Sequence, residues 1–291
     1  MAKKAFAIDG YCYMYRCFFG TLNQLEYYKK NNLQPVNALN LFVQHIIKLV
    51  SSGEYEYGVV AFDLSKFTFR TVKYEKYKAG RSPMPDPMRS QLPLIKDAVD
   101  HLGVFRGEKE NYEADDVIGS FARIMNLNNI PVDIYTSDRD MLQLVTPLTT
   151  VRMLKNGGVT EDYTYDNFSQ KFMGLTPEQV TDYKGIAGDS SDNLPGVVGI
   201  GPKTATELLR KYKHLENIYD NLHELSSAKQ REKFETYKQQ AVDCKELATI
   251  FCNLFEQVDT NMFLIKPIDK EYLIEVAKKY KLNRLIEILS K

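Results

Sequence analysis

Carboxylates recur where the chain changes character. Asp9 ends the run Ala-Phe-Ala-Ile, Asp63 follows Gly-Val-Val-Ala-Phe, and Asp138 with Asp140 follows Val-Asp-Ile-Tyr-Thr-Ser. Glu113, Asp115 and Asp116 in Tyr-Glu-Ala-Asp-Asp open a stretch whose Val117, Ile118, Phe121 and Ile124 form an apolar helical face. Asp189 and Asp192 lie in the turn-rich Gly-Asp-Ser-Ser-Asp-Asn. If these groups converge, each ionised pair ~4 Å apart repels by about 4 kcal/mol at an effective dielectric of about 20, so the cluster must take up protons or a divalent cation. Oxygen ligation without His or Cys points to a hard ion such as Mg²⁺ or Mn²⁺. Two such ions ~4 Å apart would activate water and stabilise the leaving oxygen of a phosphodiester. Each acid also has a plainer explanation, since first-turn acids complement a helix dipole and Asp at a strand end is common turn chemistry. Recurrence at several strand ends beside a basic segment favours the metal.

That basic segment runs from Lys66 to Arg89. Lys66, Arg70, Lys73, Lys76, Lys78, Arg81 and Arg89 are interleaved with Phe67, Phe69, Tyr74 and Tyr77, against only Glu75 and Asp86. Cations follow phosphates and rings stack on bases, which favours contact with single-stranded nucleic acid; Phe67 and Phe69 read as core, while Tyr74 and Tyr77 stand between the two roles. Pro83, Pro85 and Pro87 block regular helix and sheet, predicting an exposed connection. Further on, Leu194-Pro-Gly-Val-Val-Gly-Ile-Gly-Pro-Lys-Thr reads as a tight turn feeding a helix. Gly196, Gly199 and Gly201 permit φ > 0, Pro202 suits the first helical position, and open amides beside Lys203 and Thr204 would hold a phosphate. The glycine order, with no strand before it, is not a dinucleotide fingerprint.

The elements that must position these groups follow from hydrophobic periodicity. Short apolar runs over Ala5–Ile8, Tyr57–Phe62 and Val132–Thr136 alternate with helical spacing over Val36–Val50 and Ala114–Met125. The alternation predicts an α/β fold, a mostly parallel central sheet flanked by helices, and open sheets of this kind place ligands at the carboxyl edge, where the acids fall. After about Thr160 helical patterns dominate, over Thr176–Gly188, Pro202–Tyr212, Glu232–Phe251 and Lys270–Leu289. With 291 residues, 44% hydrophobic and 26% charged, the composition excludes a disordered tail or a disulfide-stapled miniprotein. The 38 basic and 38 acidic residues cancel, so only charge placement can announce a nucleic-acid partner. Cys12, Cys17, Cys244 and Cys252 lack zinc-ligand spacing and read as reduced thiols. No apolar run approaches the roughly 20 residues of a membrane span, and Asp9 interrupts the first apolar stretch too early for a secretory signal. A cytoplasmic protein with no membrane partner is expected.

Taken in order, Ile-Asp9-Gly with Tyr-Arg16, Phe-Asp63 with Thr-Phe-Arg70, Tyr77-Lys78-Ala-Gly-Arg81, Pro-Met-Pro-Asp, Glu113-Ala-Asp-Asp-Val-Ile-Gly, Ser-Asp138-Arg-Asp140-Met, Gly-Asp-Ser-Ser-Asp-Asn-Leu-Pro-Gly and the glycine hairpin carry a family likeness. The chain resembles the bacterial and bacteriophage 5′-to-3′ exonuclease (flap endonuclease) family, which includes the N-terminal nuclease domain of bacterial DNA polymerase I. The likeness runs from about Phe6 to the Arg284-Leu-Ile segment; Ser137, where many relatives carry Gly, is a mild departure. It implies an α/β metal-dependent nuclease domain over residues 1–174, with a basic helical arch at about 66–89. A helical DNA-binding domain over 175–291 would follow, with a helix-hairpin-helix at about 188–211.

By the same resemblance the activity would be that of a structure-specific DNA nuclease, with 5′-to-3′ exonuclease and 5′-flap endonuclease action by two metal ions in replication and repair. Asp9, Asp63, Glu113, Asp115 and Asp116 would serve one Mg²⁺ cluster, and Asp138, Asp140, Asp189 and Asp192 the second, with Mn²⁺ able to substitute. Lys78 and Arg81 would reach the scissile phosphate, joining Asp138 and Asp140 as the catalytic groups. Arg16, Arg70 and Lys73 would lie on nearby phosphates and Tyr77 would stack on a frayed base. Gly196, Gly199, Gly201, Lys203 and Thr204 would grip duplex, with K⁺ on the hairpin carbonyls. DNA with a 5′ end or flap at a duplex junction, and a separately supplied DNA polymerase, are the implied partners, at the nucleoid. Three rivals stay open: a non-catalytic DNA-structure module, which needs fewer acids, an RNA-cleaving nuclease, which needs no duplex grip, and a small-molecule phosphohydrolase, which leaves both basic elements unexplained.

Overall fold

The computed structural model describes residues 3–255 and 259–290. Its centre is a six-stranded sheet of β1 Ala5–Asp9, β2 Tyr57–Ala61, β3 Phe105–Gly107, β4 Val132–Thr136, β5 Thr149–Leu154 and β6 Thr160–Tyr163, in the order β3-β2-β1-β4-β5-β6. The first five strands run parallel and β6 is antiparallel to β5. The strand order reverses between β1 and β4, so the topological switch point falls between Asp9 and the turn that carries Asp138. β1 is buried on both faces because its side chains alternate. Ala5 and Ala7 face the layer that holds helix Ala114–Leu127, while Phe6 and Ile8 face the layer of helices Gly10–Gly20 and Asn37–Val50.

The three strands read from apolar runs are present, the second ending at Ala61 rather than Phe62. β3, β5 and β6 lack such a run: Phe-Arg-Gly is three residues long, and Thr-Thr-Val-Arg-Met-Leu and Thr-Glu-Asp-Tyr are rich in polar side chains. They lie toward the sheet margins, where fewer side chains are enclosed and the local pattern is weak. Where periodicity predicts single helices over 232–251 and 270–289, the chain breaks each one. Ala228–Thr236 and Lys238–Ala248 meet at Tyr237, and Lys270–Lys279 and Asn283–Leu289 are separated at Lys281, whose φ is 56°.

The basic segment is α-helical only over Phe69–Lys73 and Asp86–Arg89. The prolines do not exclude helix, because Pro87 occupies the first turn of Asp86–Arg89, where a missing N–H is tolerated. Phe67, expected in the core, is 78% exposed. The end of the chain returns to the first half. Leu273, Ala277, Leu285 and Leu289 join the layer of Phe6 and Ile8. Ile265, Lys266 and Asp269 donate backbone N–H groups to the carbonyls of Glu56, Gly103 and His101 at 2.9, 2.8 and 2.9 Å.

Candidate active site

β1 ends on Asp9 and the chain turns at once into helix Gly10–Gly20, which requires glycine because a Cβ at Gly10 would lie 2.4 Å from the Phe62 ring. Asp9 caps that helix by accepting the Cys12 N–H at 3.0 Å, and its other oxygen accepts the Thr136 hydroxyl of β4 at 3.2 Å. Asp63, two residues past β2, accepts the Ala114 N–H at 2.7 Å and so ties that strand end to the helix start at Glu113. Asp138 caps the 3₁₀ turn Arg139–Leu144 and accepts the Asp140 N–H at 2.9 Å. Asp9, Asp63, Glu113, Asp115 and Asp138 thereby line one cavity of about 330 Å³, with Arg16, Lys78 and Arg81.

Enclosure makes these acids resist ionisation. Burial pushes the Asp9 carboxyl up, helped by Asp138 and Asp63. It pushes Asp115 well up, with Asp138, Asp9 and Glu113 adding and Lys78 opposing. Asp63 rises through burial and the nearby Glu113. The counter-charges come from the basic segment. Burial works against the Lys78 ammonium, but Glu113, Asp115 and Asp192 more than offset it and hold the proton firmly. Lys78 donates to both Glu113 oxygens at 3.0 Å, and Arg81 donates to Asp192 at 2.8 Å.

A second acidic group adjoins the first. Asp140, Asp189 and Asp192 offer oxygens that all lie within 4.8 Å of one another. Asp138 and Arg81 line both the first cavity and its neighbour of about 870 Å³, which contains Asp140 and Asp189. Lys184, from helix Gln179–Ala187, places its ammonium between Asp140 and Asp189, 2.5 Å from the latter. Burial and Asp138 push Asp140 up to about 7 against the pull of Lys184. Burial also raises Asp189, but Lys184 and Ser191 outweigh it and bring that carboxyl to about 2. Lys184 escapes a reading by motif; its one signal is a lysine on the helix that feeds the Gly-Asp-Ser-Ser-Asp turn. The all-oxygen donor set of the second group fits a hard divalent cation; the acids of the first cavity line one space, but no three of them bring oxygens within 4.8 Å of one another among the described residues.

Four residues of the expected site stand elsewhere. Asp116 is fully buried and faces Arg70, whose guanidinium donates to both its oxygens at 2.7 Å and to the carbonyls of Leu247 and Thr249. Asp116 also accepts the Glu113 and Phe251 N–H groups, so it is a structural strut and Arg70, 2% exposed, is not on a phosphate-facing surface. Tyr77 is 5% exposed, with its hydroxyl donating to Glu113 and Asp192 at 3.2 Å, so its ring has no open face for a base. Lys73 pairs with Glu246 and approaches Asp243 at 3.8 Å.

The hairpin joins helix Gln179–Ala187 to helix Pro202–Tyr212, so its first helix starts before residue 188. Gly196 and Gly199 take φ 62° and 79°, as expected, whereas Gly201 at φ −92° is extended and caps the second helix, with open space beyond it. Lys203 is exposed beside it and Thr204 half-buried. The carbonyls of Gly196 and Gly199 accept from Gln240 at 2.6 Å and Lys233 at 2.7 Å. Lys233 donates to the Gly199 carbonyl, where a K⁺ would have to displace it.

Residues 4–173 match the model of the 5′-3′ exonuclease N-terminal resolvase-like domain, and residues 175–271 that of the 5′-3′ exonuclease C-terminal SAM fold. A 5′-3′ exonuclease of Mycoplasma pneumoniae is 40% identical over 293 residues, covering 99% of both chains. DNA polymerase I of Bacillus subtilis is 36% identical over 288 residues; the match takes in 99% of this chain and 32% of the polymerase. A bacteriophage T5 5′-exonuclease solved with divalent zinc ions superposes at TM-score 0.69 and 18% identity over 99% of both chains. The catalytic core of Rad2 in complex with a DNA substrate superposes at 0.65 and 17% identity, over 99% of this chain and 92% of that one. The chain belongs to the 5′-3′ exonuclease family of metal-dependent hydrolases.

Proposed function

We propose that the protein is a structure-specific DNA nuclease that removes nucleotides from 5′ ends and cuts 5′ flaps at duplex junctions during replication and repair, using Mg²⁺ with Mn²⁺ as a substitute. The observation that carries this reading is the meeting of carboxylates from four separate segments with Lys78 and Arg81 in one cavity. Asp9, Asp63, Glu113, Asp115 and Asp138 would hold one ion, and Asp140, Asp189 and Asp192 a second. Such ions supply Lewis acidity toward a phosphoryl oxygen and make water a competent nucleophile near neutral pH. The chain does the rest. Asp9 and Asp138, fixed by their capping bonds, hold their oxygens in place before substrate arrives. Lys78 and Arg81 remain charged in the cavity and are positioned to donate to phosphoryl oxygens as charge builds there. The amides at Gly201 and the exposed Lys203 favour a duplex phosphate at the start of helix Pro202–Tyr212.

The division into a nuclease unit over 1–174 and a DNA-gripping unit over 175–291 belongs to this proposal, as do a cytoplasmic, nucleoid-associated location and a polymerase supplied separately. Occupation of the hairpin by K⁺ would require Lys233 to leave the Gly199 carbonyl. The DNA-bound Rad2 core and the divalent metal ions of the T5 exonuclease support the choice of substrate and cofactor. End-labelled product mapping on a 5′ flap, with and without Mg²⁺, tests it. Cuts at the junction that require the ion are expected, and Asp138→Ala should abolish them while DNA binding survives. Undiminished cutting by that variant, or cutting in chelator, would overturn the assignment.

A further inference from the structure

The basic segment and the turn that carries the second acidic group are stitched together, and one residue of that seam has no part in the site described above. Asn193 donates from its side-chain amide to the carbonyl of Lys76 at 2.9 Å. Beside that bond the Lys78 N–H donates to the Asp192 carbonyl at 3.1 Å, and Arg81 and the Tyr77 hydroxyl donate to the two carboxylate oxygens of Asp192 at 2.8 and 3.2 Å. The two backbones meet in matching conformations. Asn193 has φ 58° and Lys78 φ 55°, the left-handed region that residues with a Cβ seldom occupy. Asparagine tolerates that region, and here the bend closes the acidic turn, across which Asp189 and Leu194 exchange N–H···O bonds of 2.8 Å. Lysine has no such ease. A left-handed lysine persists only where its surroundings hold it, and strained residues of this kind cluster at functional sites. The Lys76 carbonyl also accepts the Ala79 N–H at 3.1 Å, and the Lys78 carbonyl accepts the Arg81 N–H at 3.1 Å. The Asn193 amide thus fastens the first corner of a local turn centred on Lys78. That turn sends the Lys78 ammonium inward, onto both Glu113 oxygens at 3.0 Å, while Lys76 and Ala79 stay exposed.

We propose that Asn193 is a positioning residue for Lys78, whose amide and left-handed backbone hold the basic segment in the turn that delivers the lysine ammonium to the acidic cavity. The bonds of Arg81 and Tyr77 in the same seam end on the Asp192 carboxylate, which a divalent ion would also claim. The bond from Asn193 uses no carboxylate, so it holds the turn whether those oxygens face the protein or a cation. Glycine at this position gives the bend without the grip, and aspartate gives the shape without the donor. The inference rests on the proposed function only in that Lys78 serves a substrate phosphate.

Asn193→Gly and Asn193→Asp, each made in the full chain, test this by amide hydrogen exchange in EDTA, read on peptides spanning residues 74–81. Exchange there should quicken about threefold to tenfold in both variants, which is the worth of one hydrogen bond, while peptides from the central sheet keep their wild-type rates. Asn193 is exposed, so both variants should melt as the wild type does. Unchanged exchange over 74–81 in both variants, or exchange that quickens evenly along the whole chain, overturns the proposal. Flap cutting in Mg²⁺ gives a second readout. Asn193→Gly should lower kcat about threefold or more, and in a Lys78→Ala background it should lower kcat no further, because it acts through that side chain. A loss that adds in full to that of Lys78→Ala also overturns the proposal. A wild-type chain that cuts nothing in Mg²⁺ would sink the nuclease reading and leave the exchange result standing, so the two failures are told apart.

Discussion

At the scale of single residues, Lys184 is the group whose removal is most informative. It neutralises Asp140 and Asp189 from a position that is 7% exposed. Removing one partner of a buried pair typically costs about 3–5 kcal/mol because the other charge is left uncompensated. Lys184→Met should lower stability in EDTA by that order, and Mn²⁺ should restore most of it; urea melts with and without the ion measure both. Arg70→Ala should cost a similar amount through the stranded Asp116, and Mn²⁺ should restore less of it than for Lys184→Met, since Asp116 does not line the cavity, although Arg70 also lies 3.3 Å from Glu113, which does. The pH dependence of the metal-free protein has a definite sign. Asp140 sits at about 7 when folded against an ordinary 3.8, and Asp9, Asp63 and Asp115 shift the same way. The folded state therefore binds more protons than the unfolded one in that interval, and stability in EDTA should fall as pH rises from about 4 to about 7. Urea midpoints at several pH values, flattening when Mn²⁺ is added, check this, and a rise over the same interval would contradict it. The acids were legible because each stands in a short local motif. Arg70, Lys73 and Tyr77 were not, since a cation or ring has the same letter whether it meets phosphate or protein, and the partner of Arg70 lies 46 residues away.

At the scale of elements, the parallel core was readable wherever burial on both faces forces a continuous apolar run, as in Ala-Phe-Ala-Ile-Asp and Tyr-Gly-Val-Val-Ala. β5 shows alternating burial and β6 is mostly polar, so neither carries that signal. No proline or glycine stands at Tyr237 or Lys281, which is why periodicity runs through both breaks. The hairpin makes its own prediction. With Lys233 on the Gly199 carbonyl, exchanging K⁺ for Na⁺ at equal ionic strength should change duplex affinity by less than about twofold. Lys203→Ala should weaken binding evenly across sequences and reduce the slope of log affinity against log salt by about 1. Fluorescence anisotropy over a salt series reads both effects, and a strict K⁺ requirement would refute the first.

At the scale of the whole molecule, the helices Lys270–Lys279 and Asn283–Leu289 complete the layer that packs on Phe6 and Ile8. A fragment ending at residue 174 would uncover apolar surface on that layer. It should bind a hydrophobic dye and lose near-ultraviolet circular dichroism while keeping helical signal, and a cooperatively melting fragment would contradict this.

The same topology has a bearing on synthesis. Asp9 emerges from the ribosome long before Asp189 and Asp192 exist to complete the second group, and the covering helices follow later still. A half-made chain can therefore offer some of its acids but neither the full set nor a sealed layer behind them. Stalled ribosome complexes displaying the chain up to about residue 174 are expected to leave nearby nucleic acid uncut, and competence should require the segment that carries Asp189 and Asp192.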